Sequence, residues 1–285
     1  MSKEKIDTRA IGLDVGLEFV RWLTGSENLH YGYWDGLDVA AGNLRAAQEA
    51  YTAKLFGLLP KGKLRILDIG GGAGATARKL LDLGHEVVIV VPSSLLAERC
   101  RKIAPEADVH ECTFEEYSGA GGFDLCLFSE SYQYIPLDAG VPRCLDLLTP
   151  NGEIIISDCF RSDVFKREKG AAVVGGGHPH HVFRQALAAW PVEIISEEDI
   201  TQATAPSVDI EQGLFNVLGS ALTRIDEELE VKRPKSRWAL DKLVKLFLND
   251  RARSRLDQRL NQSTRNRTVF AENNVYLMMK LRRSN

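Results

Sequence analysis

Three stretches of the chain carry residues suited to ligand chemistry. The first is LDIGGGAGAT, residues 67–76, with glycines at 70, 71, 72 and 74 directly after the apolar run LRIL. A turn of this kind lets a ligand approach the main chain where a Cβ would clash. No Gly-Lys-Ser/Thr follows it, so a triphosphate loop is not indicated. A dinucleotide site would want an acid about 20 residues on, at the end of the next strand, to hold a ribose. Here that strand ends in VVPSS, residues 90–94, with no acid. The second stretch is GGGHPHH, which brings His178, His180 and His181 close together. Three such histidines can supply a general base near neutral pH, hold a metal, or form a solvated helix entry, which Pro179 and the glycines before it fit. Metal is the weakest of these readings, because the spacing is not His-Glu-x-x-His and no carboxylate or cysteine is paired locally. No metal is expected. The third stretch, SESYQYIP, offers Glu130, Tyr132, Gln133 and Tyr134.

The elements that must position these residues alternate. LRILDI, EVVIVV, ADVHEC, FDLCLFS and GEIIISD read as strands, and ATARKLLDLG and SLLAERCRKIA as helices between the first three. Continuous β-branched runs separated by helices predict a parallel sheet covered on both faces. VEIISEEDI and NVYLMMKLRR read as two late strands. GNLRAAQEAYTAKLFGLL has the helical spacing Leu44, Ala47, Tyr51, Leu55 and Leu58 ahead of the sheet. About 70 residues of helical character, 203–272, separate the last two strands; within them WALDKLVKLFL sets Trp238, Leu240, Leu243, Val244, Phe247 and Leu248 on one broad face. A basic amphipathic helix can lie on a membrane, but the favoured expectation is a helix packed on its domain.

Composition sets limits. The 285 residues are 44% hydrophobic with a net charge of −3, which suits one soluble domain or a core with a cap, and nothing overall favours nucleic acid. Five cysteines without a CxxC pair predict buried free thiols in a reducing, cytoplasmic setting. MSKEKIDTRA precedes no long apolar run, so no signal peptide is expected, and VVIVV is too short to span a bilayer.

The glycine turn also reads as acid-x-Gly-x-Gly-x-Gly over Asp68, Gly70, Gly72 and Gly74. It resembles the first motif of the class I S-adenosylmethionine-dependent methyltransferases. FDLCLFSESYQYIP resembles that family's fourth strand and following loop. LLTPNGEIIISD resembles its L-x-P-G-G-x-hydrophobic-D segment, with Asn151 at the first glycine, and the late strands fit its reversed hairpin. LHYGYWDG, residues 29–36, resembles a segment of the tocopherol/sterol methyltransferase and cyclopropane fatty-acid synthase-like branch.

The resemblance implies an α/β fold. It has a Rossmann-like, seven-stranded, mostly parallel sheet with helices on both faces. An N-terminal helical lid would span residues 1–60, the core 61–202, a helical cap insert 203–272, and the last core strand 273–285. It implies S-adenosyl-L-methionine as cofactor, with S-adenosyl-L-homocysteine as product. Asp68, Gly70, Gly72 and Gly74 would cradle the methionine end, with Tyr31 and Tyr33 on its carboxylate. Ser93 and Ser94 stand where most members place a ribose-binding acid. Thr113, Phe114 and Glu115 would meet adenine, and Ser129 would border the cofactor. His178, His180, His181, Glu130 and Tyr132 are the candidate catalytic residues. Gln133 and Tyr134 replace an acid and a histidine of the tocopherol-type loop.

Methyl transfer needs alignment and exclusion of water, and a base only where the acceptor loses a proton. The leading expectation is methylation of a small, apolar molecule: a lipid, isoprenoid, quinone or specialised metabolite. A non-catalytic S-adenosylmethionine-binding or partner protein on the same fold is the alternative, and a nicotinamide oxidoreductase agrees less well with the motifs. The acceptor is expected to be the main partner; peripheral membrane contact and a homodimer both stay open.

Overall fold

A computed structural model describes residues 8–165, 174–261 and 265–284. The start of MSKEKIDTRA therefore lies outside the described residues. Seven strands form one sheet: β1 (Arg65–Ile69), β2 (Glu86–Val90), β3 (Asp108–His110), β4 (Phe123–Ser129), β5 (Leu148–Arg161), β6 (Val192–Asp199) and β7 (Asn274–Arg283). Their order is β3-β2-β1-β4-β5-β7-β6, parallel except for β7, which runs antiparallel to both β5 and β6. The TPNG segment forms part of the 14-residue β5, whose pairing with β4 shifts register between Phe123 and Leu125.

The helices are α1 (Thr8–Thr24), α2 (Leu44–Phe56), α3 (Ala75–Asp82), α4 (Ser94–Ile103), α5 (Gly140–Leu147), α6 (His180–Ala189), α7 (Thr201–Thr204), α8 (Pro206–Lys232), α9 (Pro234–Phe247), α10 (Asp250–Asn261) and α11 (Arg267–Asn273). Strand periodicity divides their packing between two layers. Ile66 and Ile89 meet Tyr51 and Leu55 of α2, Ala77 of α3 and Ala97 of α4, with Val208 of α8 and Phe270 of α11 in the same layer. Leu67, Val88 and Phe128 meet Val141 of α5 and Phe183 of α6 on the opposite face. Five free cysteines are present; all but Cys112 are buried.

The LHYGYWDG segment is not helical; it crosses the sheet's carboxyl edge as an extended strap between α1 and α2. Trp34 fixes it, donating from Nε1 to the Ser207 hydroxyl of α8 at 2.9 Å, while its amide donates to the Ala203 carbonyl of α7 at 2.8 Å. Helix α9 departs from expectation. It buries no residue, and Trp238, Leu243 and Phe247 are 60%, 53% and 76% exposed, so its apolar face does not pack on the domain. No described helix is long and apolar enough to cross a membrane.

Candidate active site

Strand order reverses direction between β1 and β4, and open α/β sheets bind ligands at the carboxyl ends beside that point. The glycine turn leaves β1 there, and the SESYQYIP loop leaves β4 beside it. Ser131 joins the two by donating from Oγ to the Ile69 carbonyl. Gly70 and Gly72 hold φ of +76° and +56°, the left-handed region. A Cβ on Gly70 would fall 2.4 Å from that of Ser131, whereas one on Gly72 would meet only Leu29, at 3.7 Å. Gly70 thus serves the close approach of two loops, and Gly72 faces open space under the strap.

Asp68, the last acid before the turn, is 1% exposed, and its Oδ2 has no hydrogen-bond partner. Burial pushes its carboxyl up to about 7. An unsatisfied buried acceptor beside an open glycine cradle fits a cationic donor such as the ammonium of a methionine group.

Glu130 anchors the neighbouring cleft. Its φ of +57° is unusual for a residue with a side chain and costs on the order of 1 kcal/mol. Its amide donates to the Ser157 carbonyl of β5 at 2.8 Å, holding the turn. Its Oε1 accepts from the Tyr31 amide of the strap at 2.6 Å and from the Tyr276 phenol of β7 at 2.8 Å. Tyr276 continues to the Tyr51 phenol at 3.0 Å, and Tyr51 donates to the Ser157 hydroxyl at 2.7 Å. Burial raises Glu130 to about 7 against these two bonds. Asp158 lies behind the loop. It accepts from the Gln133 amide and side chain at 3.0 Å each and from the Cys159 amide at 2.7 Å, and burial still raises it to about 8. Tyr31, Glu130, Gln133, Cys159, Arg265 and Tyr276 line a cleft of about 220 Å³, with Tyr134 and Gly175–Gly176 completing its wall.

Other expected residues are placed elsewhere. Tyr33 turns its hydroxyl to Asp35 at 3.5 Å and its ring under the Lys54 ammonium. Ser93 caps α4, accepting from the Leu96 amide at 3.4 Å. Thr113 bonds Glu116 at 3.0 Å, and Glu115 is exposed. Phe114 is 3% exposed with its ring edge-on to Phe128, so it belongs to the core instead of presenting an open face. Ser129 lies 3.5 Å from the Tyr51 phenol. Tyr132 is fully buried among Phe128, Phe183 and His178, and its hydroxyl does not reach the cleft surface.

The histidines do not converge. His178 donates from Nε2 to the Ile135 carbonyl at 2.9 Å, a bond that supports the loop after β4. His180 and His181 sit on the first turn of α6 beside Asp163, and the Arg184 guanidinium donates to His180 at 3.0 Å. Among the described residues no cluster suits a metal ion. The sequence reading gave no role to Tyr51, Ser157, Asp158 or Tyr276. Asp158 is the acid that ends the LLTPNGEIIISD segment, and the other three showed only as polar residues on otherwise apolar strand and helix faces.

Comparison with known proteins bears on the family and the fold. A family model described as a methyltransferase domain matches residues 66–152. The chain is 31% identical over 215 residues to the 27-O-demethylrifamycin SV methyltransferase of Amycolatopsis mediterranei (strain S699), covering 69% of this chain and 77% of that protein. It is 35% identical over 107 residues to a ubiquinone biosynthesis O-methyltransferase of Bradyrhizobium diazoefficiens, 35% of this chain and 42% of that one. The fold matches the cyclopropane synthase MmaA2 from Mycobacterium tuberculosis with a TM-score of 0.66 at 14% identity, over 94% of this chain and 95% of that chain. Sequence and fold together establish that the chain belongs to the class I S-adenosylmethionine-dependent methyltransferases.

Proposed function

We propose that this enzyme methylates a hydroxyl group of a small organic molecule, with Glu130 as the base that takes the hydroxyl proton. The observation that carries the proposal is the placement of Glu130. A carboxyl with a pKa near 7 stands at the carboxyl edge of β4 and lines a cleft, and the next residue, Ser131, bonds the Ile69 carbonyl at the start of the glycine turn. A base works best with its pKa near the working pH. The similar protein from Amycolatopsis also carries an oxygen acceptor in its name.

Bound S-adenosylmethionine would supply an activated methyl carbon on its sulfonium. Asp68 would hold its ammonium, and Gly72 would give its methionine end room. The acceptor hydroxyl would bond Glu130, pass it the proton, and leave its oxygen with the methyl group. Tyr276 and the Tyr31 amide would hold the carboxylate in place through this exchange.

The cleft of about 220 Å³ is smaller than the roughly 300–1,000 Å³ of ordinary ligand clefts. It admits the reacting end of an acceptor, not the bulk of a large one. Its lining mixes tyrosines with Glu130, Gln133 and Arg265, so a phenol, quinol or hydroxylated specialised metabolite suits it better than a purely apolar lipid. The strap at residues 25–40 would act as a lid, and the base of the 203–272 insert would cap the cleft through Arg265 of the segment before α11.

The test has two stages. Calorimetry with S-adenosylmethionine and S-adenosylhomocysteine should give micromolar binding. Isotopically labelled methyl donor should then give a labelled ether with members of a phenol, quinol and polyketide panel. Tight cofactor binding with no product over the panel would favour a non-catalytic binding protein, a reading to which the absence of an acid at the end of β2 already points.

A further inference from the structure

Tyr31 contributes to the cleft twice. Its amide donates to Oε1 of Glu130 at 2.6 Å, so the strap's backbone sits beside the carboxylate. Its side chain lines the cleft as well. The ring is held edge-on to Phe270 of α11 at 5.6 Å and tilted against Tyr276 at 6.3 Å. The phenol therefore lies toward the cap, where Arg265, just before α11, lines the same cleft. Of the charges that act on the phenol, that of Glu211 outweighs that of Glu130, and Arg265 opposes both. Glu211 is held by Arg259 at 2.7 Å and lies 3.6 Å from Arg265. Arg265 thus keeps an anionic partner, and a guanidinium carries five N–H donors, more than one such contact uses. Among the described residues the Tyr31 phenol makes no hydrogen bond.

We propose that the Tyr31 phenol, with Arg265 at the same end, binds a second oxygen of the acceptor, a carbonyl or carboxylate, at the end of the cleft opposite Glu130. The inference rests on hydroxyl methylation at Glu130 and narrows the acceptor to a ring with a hydroxyl at one end and an oxygen acceptor across from it. Such a para-substituted ring spans its two groups much as the tyrosine side chain spans from backbone to phenol. A cavity of roughly 150 Å³ holds a benzene, so the cleft of about 220 Å³ takes one ring with its substituents. Both groups at the cap end are donors. Burial pushes the Tyr31 phenol above the ordinary tyrosine range, so it stays protonated, and a guanidinium keeps its charge. An acceptor with a methyl group there would leave those donors unpaired, which is the strongest form of discrimination between ligands of one shape. Tyr31 is then an acceptor-binding residue, in place of the expected partner of the cofactor's carboxylate.

The test is calorimetry on the full chain saturated with S-adenosylhomocysteine, titrated with 4-hydroxybenzoate, 4-hydroxybenzamide and 4-methylphenol. It needs no turnover. At least one oxygen-bearing probe should bind about fivefold or more tightly than 4-methylphenol, and Tyr31→Phe should cut that preference below about twofold while affinity for S-adenosylhomocysteine stays within about twofold. Benzoate above benzamide, with the advantage lost in Arg265→Gln, marks an acidic acceptor; the reverse order marks a neutral carbonyl, and either supports the subsite. Equal binding of the three probes, or no binding of any, would overturn it. So would a preference that survives Tyr31→Phe, or a Tyr31→Phe protein whose affinity for S-adenosylhomocysteine falls about tenfold, which would return the phenol to the cofactor. A methylated product without the preference sinks this inference alone, and the preference without any product sinks the methylation reading alone.

Discussion

The Tyr276 phenol of β7 and the Glu130 carboxylate after β4 meet at 2.8 Å, although 146 residues separate them in the chain. Both Tyr276 and the Tyr31 amide donate to the same oxygen, Oε1. The carboxylate is therefore oriented from two sides, by the strap and by the last strand. That pairing makes the cleft one unit instead of a gap between two loops.

If Glu130 is the base, Glu130→Gln should lower kcat on the order of 10²–10⁴-fold. Affinity for S-adenosylhomocysteine should change by no more than about threefold, since the amide retains an oxygen for Tyr31 and Tyr276. The wild-type rate should rise with pH through about 7, where Glu130 ionises, and the variant should lack that limb. An identical pH–rate profile in the two proteins would remove Glu130 from the chemistry.

Cofactor affinity should itself depend on pH. Asp68 is buried with an unpaired Oδ2 and ionises near 7. Its ionised form attracts an ammonium, and its protonated form does not. Below pH 7 the dissociation constant of S-adenosylhomocysteine should rise by up to about tenfold per pH unit, and Asp68→Asn should bind weakly with a flat profile. Calorimetry at pH 5.5, 7 and 8.5 decides this; equal affinity at all three in the wild type would sink the assignment.

The two glycines of the turn should separate fold from function. Gly70→Ala drives a Cβ into Ser131 and should lower the thermal midpoint by several degrees. Gly72→Ala meets only Leu29, and its cost to folding is the left-handed backbone, about 1 kcal/mol. Its cofactor affinity should nevertheless fall at least tenfold, because the methyl enters the space for the methionine end. A folded Gly72→Ala protein with normal affinity would move the cofactor off this turn.

Much of this architecture was legible in the chain because it rests on local signals. NVYLMMKLRR reads as a strand from its apolar run and forms β7 over the same ten residues. Gly84 ends the helix read from ATARKLLDLG, with φ of +89°. The candidate site was less legible, because long-range geometry decides it. Three histidines within four residues suggest convergence, yet helix α6 turns His180 and His181 to Asp163 while His178 faces main-chain carbonyls. Phe114 and Tyr132 have the residue types of ring-stacking or proton-handling groups, but the sheet face below them is apolar and draws both into the core. Tyr276 appears in sequence as one strand residue among ten. Only the antiparallel return of β7 beside β5 brings its hydroxyl to Glu130, a pairing that no spacing encodes. The exposure of α9 was equally hidden, since an apolar face says that something covers it and not what.

The buried acids also set how the ligand-free enzyme responds to pH. Burial raises Asp68 from 3.8 to about 7, Glu130 from 4.5 to about 7 and Asp158 from 3.8 to about 8. In the unfolded chain the same groups ionise near 4. Between about pH 4 and pH 8 the folded protein therefore holds more protons than the unfolded one, and linkage makes its stability fall as pH rises through that window. The contribution is fully present below the unfolded values and lost above the folded ones. Exposed acids act in the opposite sense, Glu18 and Asp226 shifted down by Arg99 and Arg237 and Asp163 by hydrogen bonds from the His181 amide and ring, but solvent screens them. The thermal midpoint without cofactor should thus be several degrees higher at pH 5.5 than at pH 8. Asp68→Asn removes one of the three groups while keeping its shape, and should shrink that difference. S-adenosylmethionine, whose ammonium favours ionised Asp68, should raise the midpoint more at pH 8 than at pH 5.5. A midpoint that climbs steadily from pH 5.5 to 8 in the ligand-free wild type would mean that these carboxyls ionise freely in the fold, and Glu130 would then lack the near-neutral pKa its role requires.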